Sequence, residues 1–524
     1  MPDLVPSPLT IDAVVRSGAA ADPDKPMVID STDRLSYADL DASSRELAAI
    51  LVQAGVGKGT RVGLIMPNCV DWVRTAVAVT RIGAVLVPLS TLLTPPELRA
   101  QLRVAAVRFL ISVEEFRGHR YLDDLRADSS LPRDLPALQH VWSTQSLASA
   151  GDGAGEIVDA MTATVNPADP MLIMFTSGSS GTPKGVLHSH GSALGAVSSG
   201  LAARCIDADT RLYLPMPFFW VGGFGGGVLS ALLAGATLIT EEIAQPETTL
   251  SLLESERVTL FRGWPDQAEA LARHAGSTDL SALRPGSLEA LLPPRLRAEP
   301  GARANLFGMT EAFGPYCGYA ADTDLPRSAW GSCGKPFAGM EVRIVDTDSG
   351  VPVAPDTVGM IQLRGPHTLR GICGRTREAV FTVDGFYPTG DLGRLDPDGF
   401  LFYHGRSDDM FKVSGATVYP SEVEKALRSI AGVEAAVVTN VPDGTRNRVG
   451  VVVAGDGLTI DGLRDRCRDL VSSFKVPAVW LIVAGTDAIP YGPTGKVDKR
   501  RVREMLTTGC HADTGVNQQR RERI

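Results

Sequence analysis

The chain has 524 residues, 44% hydrophobic and 21% charged, with a formal net charge of -9. Its length exceeds one ordinary core, so at least two domains are expected. The acidic balance excludes a broad basic face for nucleic acid or anionic lipid and leaves room only for a local cationic pocket. In chain order, "SYADLDASSRELAAILVQAG" has apolar positions at helical spacing and a closing glycine, while "RVGLIMP" and "AVLVPLS" have the length of short buried strands. This alternation over the first 140 residues predicts α/β layers. "SLASAGDGAGE", near residues 146–156, has the composition of a flexible stretch, and "PMLIMF" that of an apolar strand.

From Leu212 to Thr240 no side chain is charged, a run long enough to span a bilayer. It also holds Pro215, Pro217 and six glycines. A spanning helix would tolerate that load poorly, so the segment is expected to be a loop followed by a short buried helix, about Val228 to Leu233. After Phe400 the texture changes. "HGRSDDMFKVSGATVYPSEVEKALRSI" predicts a charged turn, a short strand and a helix capped by Ser421 with Glu424 in a capping box. A domain boundary is placed near Gly405, with strands "AAVVTNV" and "RVGVVVAG" in a small α+β unit and a polar tail from about Cys510. Seven scattered cysteines without a CxxC pair, and an N-terminus with no basic and apolar leader, point to a reducing cytoplasm and to thiols that serve as small buried hydrophobes.

The chemistry begins at residues 176–185, "TSGSSGTPKG". Phosphate oxygens are held by backbone amides of a glycine-rich turn, by hydroxyl donors and by a lysine acting as a point charge. The stretch supplies all three. It is not a Walker A loop, because Pro183 precedes Lys184 and Gly185 follows it, which disfavours a kinase or P-loop ATPase. A strand, a glycine loop and then a helix is the expected layout of this anion cradle.

Further along stand "LFGMTEAFG" (306–314), "YPTGDLGRLDPDGFLFYHGR" (387–406), "DDMFKVSGATVYPSEVE" (408–424) and "PYGPTGKVDKR" (490–500). With the glycine loop, and in this order, they resemble the acyl-adenylate-forming superfamily, most closely its free-standing acid:CoA ligases. The resemblance implies a multidomain α/β fold. A large N-terminal domain of layered sheets with a small barrel-like subdomain would cover 1–404. A mobile α+β domain would cover 405–510, with its hinge at Asp408 and a tail at 511–524. It implies ATP and Mg²⁺, with CoA as co-substrate. Thr176, Ser177, Gly178, Ser179, Ser180, Gly181 and Lys184 would hold the phosphates. Thr310 would touch them, Glu311 would ligate Mg²⁺, and Phe307 and Gly308 would flank the adenine. Asp391 and Arg406 would contact the ribose, and Lys496 would bridge the substrate carboxylate and the α-phosphate. The acyl pocket would involve Phe219, Trp220, Gly222, Gly223 and Trp264.

Three departures bear on substrate. "PFFWVGG" puts Trp220 where relatives carry a histidine or other aromatic gate. "GSLEALLPPRL" (286–296) is a reduced form of a segment that helps build the pocket, and Thr417 stands where some relatives carry an arginine. The glycines and apolar neighbours leave room for a bulky hydrophobic acid: aromatic, fatty or polycyclic. The expected partners are that acid and CoA, with no nucleic acid and no membrane span, and a homodimer is left open. The competing readings are an adenylating enzyme that passes its acyl-AMP to a carrier protein, an amine or a partner ligase, and a nucleotide-binding regulator without catalysis.

Overall fold

The computed structural model describes residues 10–126, 134–147, 155–176, 183–407, 409, 411–413, 416–443, 446–471, 475–492 and 496–513. They fall into two compact units. One comprises 1–342 with 363–387 and 398–401, and the other 343–362 with 388–397 and the chain from 402 onward.

The first unit is built on a seven-stranded sheet in the order Gly371–Ile372, Lys184–Ser189, Pro170–Thr176, Val85–Pro88, Arg61–Ile65, Phe109–Ser112, His140–Ser143. Its centre is parallel, while the Lys184–Ser189 strand runs antiparallel to both its neighbours. Leu64, Leu86, Leu110 and Ile173 are fully buried, as expected where helices cover both faces of a parallel sheet and the strands read as unbroken apolar runs. A second, five-stranded sheet has the order Leu260–Phe261, Arg211–Tyr213, Thr237–Ile239, Pro26–Ile29, Arg34–Ser36. The helix Tyr37–Gln53 lies in the stretch read as helical and starts at a capping box formed by Ser36 and Asp39. The Tyr37 hydroxyl lies 2.9 and 2.8 Å from the buried carbonyls of Ala231 and Ala236. This pairing stitches the first helical layer to the uncharged segment.

That segment corrects the sequence reading. The helix starts at Val221, well before Val228. It runs Val221–Gly223, then as a π-helix Phe224–Leu229, then Ser230–Ala234, where Gly235 closes it in the left-handed region at φ +71°. The prolines precede the helix, and its glycines meet a packing demand that outweighs propensity. A Cβ on Gly223 would lie 2.1 Å from the Pro217 carbonyl oxygen, and one on Gly227 would lie 2.8 Å from Leu214. Trp72, wholly buried, meets Phe218 and Phe224 edge-on at 5.3 Å each. No helix among the described residues is long and apolar enough to cross a membrane.

The second unit contains most of a four-stranded sheet, Glu341–Val345, Gly359–Arg364, Tyr387–Leu395, Leu401–Arg406, and a three-stranded one, Ala435–Asp443, Arg446–Ala454, Val479–Val483. The middle strand of the latter is buried on both faces. Val449, Val451 and Val453 pack with Val423, Leu427 and Leu463, while Val452 and Ala454 pack with Val502 and Leu506. The helix Pro420–Arg428 is capped differently from the expectation. Pro420 takes the first helical position, Tyr419 becomes the N-cap, and the hydroxyl of Ser421 donates instead to the His404 carbonyl at 2.7 Å. Glu424 accepts from the Val438 amide at 2.9 Å, and burial raises its pKa. The last helix, Lys499–Asp513, continues through Cys510. Among the described residues six cysteines are free, four of them buried.

Candidate active site

The strand Pro170–Thr176 delivers the chain to the glycine-rich loop, of which Ser177, Gly178, Ser179, Ser180 and Gly181 lie outside the described residues. Beyond the loop the chain enters a second strand, Lys184–Ser189, pairing back in register with Thr176 opposite Lys184. The expected helix comes only after it, at His190–Ser199. The positive charge at this turn is therefore supplied by the Lys184 side chain, without a helix dipole aimed along the loop. Lys184 is 18% exposed and is ion-paired with Glu311, whose side chain is 7% exposed. Its ammonium also donates to the Tyr387 hydroxyl at 2.8 Å, and that hydroxyl donates to Glu311 at 3.0 Å. Sequence reasoning singled out Lys184 and Glu311 and missed Tyr387. The available signal was an aromatic residue carrying a hydroxyl at the head of "YPTGD".

A buried ion pair contributes little to stability, because desolvation offsets most of the attraction. Such a pair suits a site in which an incoming anion takes over the lysine. Glu311 is on the short turn Thr310–Ala312. The turn is set between Phe307–Met309 and Gly314–Gly318, which pair antiparallel. Gly308 has no room for a side chain, since a Cβ there would lie 2.1 Å from the Gly314 oxygen. Phe313 ends the turn at φ +52°. Phe307 is half-buried and meets Tyr316 edge-on at 5.6 Å.

The turn is also held from behind. His188 Nε2 lies 2.7 Å from the Thr310 carbonyl, so that nitrogen carries the proton. Burial depresses the His188 pKa to about 4, which keeps the ring neutral. Its ring meets Phe313 edge-on at 5.0 Å. His188→Leu is expected to lower kcat/KM for ATP about ten-fold, the cost of stranding the Thr310 carbonyl in the turn that carries Glu311. His188→Gln, which can donate from a similar position, should recover most of that loss; steady-state kinetics on both variants check it.

In the second unit, buried Asp391 accepts from Arg406 Nη1 at 3.0 Å, and Arg406 also donates to the Thr389 carbonyl at 3.0 Å. Gly390, at φ +75°, leaves space that a Cβ would deny, 2.9 Å from the Arg406 guanidinium. Lys496 is exposed, in a turn where its carbonyl accepts from Gly492 at 2.7 Å, ahead of the Lys499–Asp513 helix. Asp408 lies outside the described residues, while its neighbour Asp409 is paired with Lys499 at 2.8 Å.

The aromatic segment assembles as a cluster. Trp220 caps the Val221 helix and meets Phe219 at 5.4 Å and Trp264 at 6.3 Å, both edge-on. Trp264 is 39% exposed, while Trp220 and Gly222 are half-buried. Gly223 is buried against Pro217. The shortened 286–296 segment forms two brief turns whose Leu291 and Leu292 join the core around Phe261.

The model of the family described as AMP-binding enzyme matches residues 15–373. The chain is 33% identical to a 3-[(3aS,4S,7aS)-7a-methyl-1,5-dioxo-octahydro-1H-inden-4-yl]propanoyl:CoA ligase of Mycobacterium tuberculosis, over 96% of this chain and 99% of that protein. It is 34% identical to a feruloyl-CoA synthase of Amycolatopsis sp, over 90% and 94%. Among solved structures, a fatty acyl CoA synthetase of Mycobacterium tuberculosis superposes with a TM-score of 0.72 at 26% identity, covering 95% of this chain and 99% of that one. With the family model spanning well over half of its length, and the ordered motifs in agreement, the chain belongs to the AMP-binding enzymes of the acyl-adenylate-forming superfamily.

Proposed function

We propose that this chain is an AMP-forming acid:CoA ligase for a bulky, ring-bearing hydrophobic acid. In the first step a carboxylate oxygen attacks the α-phosphorus of ATP. The bond to the β-phosphate bridging oxygen breaks, and pyrophosphate leaves. In the second step the CoA sulfur attacks the acyl carbon, the bond to the AMP oxygen breaks, and the thiol proton is released. Both substrates of the first step are anions, so the step needs charge neutralisation and placement more than a general base.

The observation that carries the reading is the cluster of half-buried Lys184 with buried Glu311 and Tyr387 at the mouth of the glycine-rich hairpin. Lys184 serves the terminal phosphates with Thr176 and the loop 177–181, and Thr310 orients them. Among the described residues no group of three or more His, Cys, Asp or Glu side chains could hold a metal ion. A single carboxylate, Glu311, fits Mg²⁺ nonetheless, because that ion keeps its waters and takes most other ligands from phosphate oxygens. When bound, Mg²⁺ would neutralise charge on the polyphosphate.

Phe307 serves the adenine. Asp391, held by Arg406, accepts from the ribose hydroxyls. Lys496 acts on the carboxylate and α-phosphate during adenylation. The proposed pivot is Asp408, which would exchange Lys496 for the 412–415 segment in thioester formation, with 405–510 as the mobile part. The ring-bearing substrate class draws support from the Phe219, Trp220 and Trp264 cluster and from the propanoyl and feruloyl relatives.

The test is acid-dependent pyrophosphate release from ATP, run beside CoA thioester formation on a panel of aromatic, fatty and polycyclic acids. Both signals are expected with the same ring-bearing acids. Pyrophosphate release without thioester would assign the acyl-AMP to another acceptor, such as a carrier protein or amine. No release with any acid would leave a nucleotide-binding regulator.

A further inference from the structure

Close in sequence to Trp264 of the aromatic cluster stand polar side chains to which adenylation assigns no part. Arg262 comes directly after the strand Leu260–Phe261, and its amide donates to the Tyr213 carbonyl at 3.0 Å. The residue is half-buried and donates from Nη2 to the Arg204 carbonyl at 2.8 Å, while its buried Nε has no hydrogen-bond partner among the described residues. Gln267, on the helix Pro265–His274, has a buried Oε1 that also lacks a partner among the described residues. That oxygen stands 3.4 Å from where a Cβ on Gly263 would be, next to Arg262 in the chain. An unpartnered donor on Arg262 and an unpartnered acceptor beside Gly263 thus belong to residues two and three positions from Trp264 in the chain.

The surroundings are cationic. Arg204, 6% exposed, spends its guanidinium on the carbonyls of Gly200 and Val197 and on the Ser230 hydroxyl, which in turn donates to Gly225 inside the π-helix. The nearest atom to a Cβ on half-buried Gly226 would be Arg204 Nη1, at 3.9 Å. Burial lowers the pKa of both arginines to about 10. Asp322 acts on Arg262 from a distance, but among the described residues no carboxylate forms an ion pair with either guanidinium. Leaving polar atoms buried and unmatched is costly, and such groups discriminate strongly once a ligand oxygen matches them.

We propose that Arg262 and Gln267 form the polar end of the acid-binding pocket and select acids whose ring carries an oxygen substituent, a ketone or hydroxyl, remote from the reacting carboxylate. Arg262 Nε–H donates to that oxygen, and a hydroxyl can in turn donate to Gln267 Oε1. The inference rests on the acid:CoA ligase reading and deepens it.

The test uses two matched pairs: para-hydroxyphenylpropanoate against phenylpropanoate, and oxocyclohexylpropanoate against cyclohexylpropanoate. Pyrophosphate release is measured for the full-length wild type, Arg262→Met and Gln267→Leu. The wild type should favour the oxygenated member of at least one pair by about ten-fold or more in kcat/KM. Arg262→Met should bring that ratio near one by losing only the oxygenated acid, mostly through KM, with the plain acid unchanged. Gln267→Leu should do the same for the hydroxyl pair, and it keeps the question open to measurement if Arg262→Met does not fold. A wild-type ratio near one in both pairs, or equal loss of plain and oxygenated acids in the variants, would overturn the proposal and leave bound water as the partner of these atoms. Silence of the wild type with every acid would instead overturn the ligase reading beneath it.

Discussion

Lys496→Ala is expected to slow acid-dependent pyrophosphate release by about a hundred- to a thousand-fold, the usual cost of removing one preorganised donor from a developing anion. Thioester formation from supplied acyl-AMP should stay within a few-fold of wild type, because the role proposed for the lysine is confined to the step in which carboxylate and phosphate meet. The side chain is exposed, in a turn closed by its own backbone carbonyl. Removing it should therefore leave the fold intact, and unfolding curves of the variant should overlay those of the wild type. Single-turnover measurement of each half-reaction separates these outcomes. Equal loss of both would contradict the division of labour proposed for the two steps.

Glu311→Gln should have a second large effect, with a different signature. The substitution preserves volume and a hydrogen-bond acceptor but leaves the Lys184 ammonium without its carboxylate in a buried setting. Overall turnover should fall by about a hundred-fold or more. The Mg²⁺ concentration that gives half-maximal rate should rise, since the protein would contribute no anionic ligand. Titration of Mg²⁺ at saturating ATP reads this out. An unchanged Mg²⁺ dependence would confine Glu311 to holding Lys184. The cost to stability should be modest, because the lysine is partly solvated and Tyr387 still accepts from it.

How much of this was legible in the sequence depended on distance along the chain. Local signals were faithful. The helix Tyr37–Gln53, the strands Arg61–Ile65 and Val85–Pro88, and the strand entering the glycine loop all appear as read. Failures occurred where tertiary packing outvotes local preference. The glycines at 222–227 read as helix breakers, yet close approach to Pro217 and Leu214 makes them a requirement of a helix. Ser421 and Glu424 have capping-box spacing, but Pro420 moves the cap and each side chain finds a partner elsewhere. The cradle was expected to end in a helix, and pairing with the preceding strand made it a hairpin. At the site, Lys184 and Glu311 stood out through their motifs. Tyr387 was passed over although it heads the "YPTGD" motif, because its tie to Lys184 spans 203 positions and the motif alone does not say which residue its hydroxyl meets.

The π-helix at Phe224–Leu229 amounts to one extra residue threaded into an otherwise α-helical run. Each α-helical residue advances the screw by about 100°, so the surplus residue offsets the angular phase of everything upstream relative to everything downstream. The Val221–Gly223 turn is consequently set at a different angle about the axis from the one a regular helix would give it, while Ala231 and Ala236 keep the carbonyls that satisfy Tyr37. Excising one glycine here would rewind that offset and turn the start of the helix, with Trp220 at its cap, about the axis, so the shape of the proposed acid pocket would depend on the count of glycines as much as on the identity of the aromatic side chains.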